Sequence, residues 1–159
     1  MTDPEFFSPA WAQAVGAALT AGPTVEQRGD KLPEYWDFFE RIKAAYPASW
    51  ALGCRGGPDN GGDGDRYLLV RWDGGAVPDA RITAPGEVPA ASYVLGMDYA
   101  NWVALYEGYD AQRTVMYRKI LLEDGDLLAF FKTIYFFAEC LAVIGAVPAR
   151  YPAAVAAAP

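Results

Sequence analysis

The sequence predicts an α+β domain in which several antiparallel strands form one sheet with the helices on one of its faces. Three observations predict it. Apolar residues recur at helical spacing up to Tyr46, alternate in runs between 48 and 97, and return to helical spacing after Asp98. Ser8-Pro9 and Pro33 stand where helices begin. Gly, Pro and Asp clusters separate the alternating runs, as turns between strands require. The 159 residues suffice for one domain with a full core and are short for two. The domain is assigned to 1–150, and YPAAVAAAP (151–159) to a loose tail.

The elements follow in chain order. Ser8 can cap a first helix that has Pro9 in its first turn, runs to about Thr20 and ends at Gly22. PEYWDFFERIKAAY starts a second at Pro33, with Tyr35, Phe38, Phe39, Ile42 and Tyr46 at helical spacing. Asp37 and Arg41 form an i,i+4 pair on its outer side, and Pro47 stops it. In ASWALGCR (48–55), Trp50, Leu52 and Cys54 alternate with Ser49, Ala51 and Gly53, the pattern of a half-buried strand. RYLLVRW (66–72), AVPDARI (76–82) and ASYVLGM (91–97) continue in that style. Pro78 has no amide hydrogen to donate, so the third strand belongs at an edge or a bulge. Helix resumes in DYANWVALYEGY, with Asp98 placed to cap it. YRKILLE (117–123) is a last strand. Asp124-Gly125-Asp126 then turns the chain into one long closing helix within LAFFKTIYFFAECLAVIGAVP (128–148).

That closing stretch is not a membrane span. Lys132 and Glu139 inside it would each cost roughly 2.5–3.5 kcal/mol near a bilayer centre, and the sheet needs a helix to cover it. The net charge is −7, from 13 basic and 20 acidic residues, which argues against nucleic acid or an anionic membrane as a partner. The N-terminus MTDPEFFSPAW lacks the blocks of a signal peptide, so the protein is expected to be cytoplasmic. Cys54 and Cys140 are read as buried thiols in a reducing compartment. Richness in Ala, Gly and Pro points to a bacterial source.

Several chemistries drop out. The loop PDNGGDGD (58–65) is not a calcium loop: an EF-hand starting at Asp59 would put Gly61 third and Val70 twelfth, where a bidentate Glu is required. It reads as a Gly/Asp hairpin. No histidine exists to activate a serine or cysteine, and the scattered carboxylates have no metal-ligand spacing. Neither Gly-rich nucleotide fingerprint occurs, so no cofactor is expected. The carboxylate in the most unusual setting is Glu139, between Phe136, Phe137, Ala138, Cys140 and Leu141. Desolvation there would raise its pKa into a range useful for proton transfer. The plainer alternative has it face water or pair with Lys132, Arg113 or Arg118, sharing a stripe with Lys132 two turns away.

Aromatic clusters in WVALYEGY and AFFKTIYFF lie beside flexible Met97 and Met116. Such residues are usually core, but here they can also line a cavity for an apolar ligand. At this point FFSPAWAQAVGAALT, RYLLVRWDGGAV, ASYVLGMDYANWVALYEG and RKILLEDGDLLAFFK, spanning most of 6–147, together resemble a sterol carrier protein 2-like domain of the small stand-alone bacterial type. Order and spacing carry the likeness. The resemblance implies a five-stranded, largely antiparallel sheet covered by helices, with fatty acyl chains, sterols or similar lipids in an apolar tunnel. Tyr93, Leu95, Met97 and Trp102 would line it, and Met116, Phe130, Phe131 and Tyr135 would close it. The chain departs from the family at Tyr117-Arg118, where a Gly-Lys pair is common, and in its unusually aromatic closing helix.

The leading reading is a carrier or binding protein for a hydrophobic or amphipathic small molecule such as a lipid, sterol, acyl chain or polyketide- or terpenoid-like compound. The alternative is a biosynthetic cyclase or isomerase using the same pocket, with Glu139 or Asp98 as general acid or base and Tyr135 as helper. A third reading makes the aromatic closing helix the contact surface of a homodimer.

Overall fold

The computed structural model describes residues 3–56, 66–87 and 89–151. The loop 58–65 lies outside them, as does the tail 151–159 apart from Tyr151, whose ring centre is 5.6 Å from that of Tyr106. Five strands form one sheet: β1 (Ser49–Arg55), β2 (Arg66–Asp73), β3 (Ala76–Ile82), β4 (Tyr93–Asp98) and β5 (Ile120–Asp124). Their order is β3-β2-β1-β4-β5, and every neighbouring pair is antiparallel except the parallel β1–β4 pair. This is the largely antiparallel α+β sheet expected. Pro78 does sit on an edge strand, where its missing amide costs no ladder bond.

Helix α1 (Pro9–Ala21) starts on Ser8, whose hydroxyl accepts from the Trp11 amide, and ends at Gly22. It lies against β3, with Gly16 facing Ala80 and Val77 so closely that a Cβ would touch the Ala80 methyl at 3.2 Å. Thr20 locks the contact, since its hydroxyl accepts from the Val77 amide at 2.9 Å. Helix α3 (Pro33–Ala45) delivers buried Lys43, whose ammonium donates to the Thr20 carbonyl at 2.6 Å, where the C-terminal dipole of α1 favours a cation. On α3, Arg41 sits over the Phe38 ring, and the expected Asp37–Arg41 ion pair is not formed.

Strand β1 is buried on both faces rather than half-buried. Trp50, Leu52 and Cys54 face the helices, while Ala51 and Gly53 are covered on the other side by larger neighbours; Gly53 lies under the Tyr67 ring. As the central strand it is shielded from both flanks, which alternation alone could not reveal.

Two short helices escaped the sequence pattern: α2 (Val25–Arg28), closed by a Thr24–Gln27 capping box, and α5 (Ala111–Met116), capped by Asp110. Because α5 occupies 111–116, the last strand begins at Ile120 rather than at Tyr117. Between them Arg118 takes a left-handed backbone, φ 59°, at a cost of about 1–2 kcal/mol for a residue with a Cβ. Helix α4 (Tyr99–Tyr106) follows Asp98, but that carboxylate makes no capping hydrogen bond.

The closing helix is broken. Thr133, at φ −122° and ψ 30°, separates α6 (Leu127–Lys132) from α7 (Ile134–Gly145). Thr133 is β-branched, which slightly lowers its helix propensity. The break lets α6 border β5 while α7 crosses the core against α1, α3, α4 and α5. Lys132 and Glu139 therefore do not share one helical stripe.

Candidate functional site

A cleft of about 470 Å³ lies along β5, within the ~300–1,000 Å³ common for small-molecule sites. Val115 on α5, Leu95 on β4, Phe130 and Phe131 on α6, and Ile134 and Phe137 on α7 form much of its wall. Strand β5 contributes Ile120 and Leu122 from its helix side and Leu121 and Glu123 from the other, so the cleft wraps around this edge strand. Its mouth is apolar: Leu127 and Phe131 are each 53 % exposed and Leu121 38 %.

Three charged residues, Arg55, Arg118 and Glu123, complete the lining. Arg55 and Glu123 form an ion pair that crosses the sheet over Gly96, where a Cβ would collide with both side chains. The Tyr67 hydroxyl lies 3.5 Å from the Glu123 carboxylate. Arg118 makes no ion pair among the described residues. Ten apolar side chains and three charged ones can hold an apolar chain and orient one polar end.

Of the residues singled out from the sequence, Leu95, Phe130 and Phe131 line this cleft. Tyr93 is half-buried and packs edge-on against Phe130, with ring centroids 5.1 Å apart. Met97 and Trp102 lie fully buried in the core instead, where the Trp102 indole N–H donates to the Gly53 carbonyl at 3.1 Å. Met116 is exposed just outside the lining, and Tyr135 borders a separate small groove between α3 and α7 with Phe38 and Phe39. Leu122, Leu127, Ile134 and Phe137 were missed. Leu122 falls within the predicted strand YRKILLE, two residues after Ile120, a spacing that could have marked it; nothing in the sequence placed the other three opposite an edge strand.

The acid–base candidates do not converge. Asp98 is exposed at the start of α4, beside Arg55 on the neighbouring strand, and does not itself line the cleft. Glu139 is buried, 6 % exposed, and paired with Lys31 from the segment before α3, a partner not considered from sequence. Its carboxylate also accepts from the Tyr35 hydroxyl at 2.6 Å, with the Gln112 amide at 3.5 Å. The Lys31 ammonium is 4.9 Å from the Tyr35 ring centre and 5.5 Å from that of Trp36. The Tyr35 phenol is held well above its usual pKa, first by burial and then by the Glu139 carboxylate. This cluster ties the approach to α3 onto α7, and Glu139 does not line the cleft. Cys54 and Cys140 are both buried, and burial raises the Cys140 thiol pKa. Among the described residues no helix is long and apolar enough to cross a membrane.

No family model and no curated protein matches the sequence. Among solved structures, the chain is similar to a crystal structure of sterol carrier protein 2 at a TM-score of 0.69 and 23 % identity, over 91 % of this chain and 100 % of that one. It is also similar to the solution structure of a conserved hypothetical protein from Thermus thermophilus, described as possibly a sterol carrier protein. There the TM-score is 0.67 and the identity 22 %, over 94 % of each chain. The fold is that of sterol carrier protein 2, as the four sequence stretches implied.

Proposed function

We propose that this protein binds one apolar or amphipathic small molecule in the cleft along β5 and acts as its carrier. The observation that carries the proposal is the lining: an open-sided volume of about 470 Å³ walled by ten apolar side chains, with Arg55, Arg118 and Glu123 the charged ones. Apolar burial would supply affinity at about 25 cal/mol per Å², less the cost of ordering the ligand. The charged residues would hold the ligand's polar end. The fold of a protein named for carrying sterols supports the reading without identifying the ligand.

Native mass spectrometry of the purified protein, together with titration of a fluorescent fatty-acid probe, tests it. The expected result is a bound lipid-like mass or a saturable probe signal. Ile134→Trp, which fills the cleft, should weaken the probe by about tenfold or more, corresponding to ~1.4 kcal/mol or more, while the folded spectrum is kept. A protein that takes up no lipid and no probe would overturn the proposal.

A further inference from the structure

Exposed apolar side chains are concentrated at one end of the molecule. Of the ten large hydrophobic residues exposed among those described, seven fall between 116 and 135. Leu128 is the most exposed of the seven at 74 %, followed by Tyr117 at 66 % and Met116 at 62 %. Leu127 and Phe131 belong both to this surface and to the mouth of the cleft. Leu121 lies on β5 in the cleft and Tyr135 borders the separate groove between α3 and α7; the other five, on α5, α6 and the turn at Tyr117-Arg118, form a patch continuous with the cleft opening.

Charge separates in the same direction. Residues 113–132 contain four basic and three acidic side chains, whereas the remainder of the chain contains nine basic and seventeen acidic. Arg113, Arg118, Lys119 and Lys132 make no ion pair among the described residues, while Glu123 is neutralised by Arg55 and Asp126 is engaged in capping α6. The overall charge of −7 argued against an anionic membrane, but it hides this asymmetry. An anionic surface repels the bulk of the protein and accepts this end, so it orients the molecule mouth-first.

We infer that the surface formed by Met116, Tyr117, Leu127, Leu128 and Phe131 docks on a lipid bilayer, with the basic residues beside it favouring anionic headgroups. Exposed aliphatic and aromatic side chains enter the interface between headgroups and acyl chains, and the basic side chains reach the phosphates. Docked in this way, the cleft opens directly to the bilayer, and an apolar ligand can pass without crossing water. The inference deepens the proposed binding function but is tested apart from it.

The experiment is co-sedimentation of the full chain with vesicles of phosphatidylcholine, with and without phosphatidylglycerol. Binding is expected, stronger with phosphatidylglycerol, and reduced by added salt. Leu128→Glu, outside the cleft lining, should lower vesicle affinity by about tenfold or more and leave fatty-acid probe binding unchanged. Lys119→Glu with Lys132→Glu should remove the preference for phosphatidylglycerol. Ile134→Trp, with the cleft filled, should still bind vesicles, which separates failure of docking from failure of ligand binding. A wild-type chain that ignores both vesicle types overturns the inference. So does vesicle binding that Leu128→Glu leaves untouched, or a dimer in sedimentation velocity that Leu128→Glu disperses without any vesicle binding.

Discussion

The two flanks of the sheet use the same kinds of residue to opposite ends. Under β1 and β2, Tyr46, Trp50, Trp72 and Phe136 meet in edge-on and tilted contacts, with ring centroids 4.8–6.2 Å apart. The Trp50 indole donates to the Tyr46 hydroxyl at 2.9 Å, and all four side chains are buried. Along β5, Phe130 is buried but Phe131 beside it is half in solvent, and the space between strand and helix stays open. Apolar content does not separate the two regions. Position in the sheet does: β1 has strands on both sides, whereas β5 has one neighbour and faces the short α6. The central strand closes large side chains on one another; of the two edges, β3 is sealed by α1, while β5, beside the short α6, leaves room for a guest.

The sharpest way to break this comparison is a matched pair of truncations. Trp50→Ala should cost ~3–5 kcal/mol, because a large cavity opens among groups that cannot collapse. Phe131→Ala should cost under ~1 kcal/mol, because its ring is half solvated already. Urea denaturation of both variants measures the contrast, and equal costs would abolish it.

A second effect is set by pH. Burial holds the Tyr46 phenol pKa up at about 12, against an ordinary value of 10.0. Folding therefore favours the protonated phenol. The resulting stability is fully present below about pH 10, where the unfolded chain keeps its proton too, and is lost as pH rises through about 12. The difference amounts to ~2–3 kcal/mol. Burial also raises the Tyr106 phenol on the α1–α4 side, where it accepts from the Trp11 indole, and so adds in the same direction. Thermal melts between about pH 9 and pH 12 should show the fall, and Tyr46→Phe should flatten part of it; a flat wild-type profile would contradict the buried phenols.

The smallest effect concerns the Lys31–Glu139 contact, which lies on neither flank. Lys31→Met should destabilise by ~1–2 kcal/mol: the buried carboxylate keeps Tyr35 but loses its cation, and the half-exposed ammonium limits the loss. The fatty-acid probe should bind this variant as it binds the wild type, since neither residue lines the cleft. A loss of probe binding would mean the two sites are coupled through α7.

Much of the fold was legible because its signals are local. Ser8-Pro9 and Gly22 marked the ends of α1, Pro33 marked the start of α3, and the bounds of β3 coincide with the AVPDARI run. The errors share a cause. The break at Thr133, the burial of β1 on both faces and the helix at 111–116 depend on neighbours distant in sequence. Of the residues lining the cleft, Leu95, Phe130 and Phe131 were named through the resemblance to sterol carrier protein 2-like domains. Leu127, Ile134 and Phe137 were not, because a cleft wall is assembled from separate segments.

By itself, then, the sequence determined the order of the strands and the main helices, the α+β class, the edge position of Pro78 and the likeness to sterol carrier protein 2. Periodicity, caps and turns act over a few residues, and the backbone obeys them wherever it lies. Only the tertiary structure decided which aromatic residues seal the core and which stay open, and that Glu139 meets Lys31 across 108 positions of chain rather than Lys132 on its own helix. A carboxylate taken from water needs a cation within reach, and only the folded chain determines which one that is.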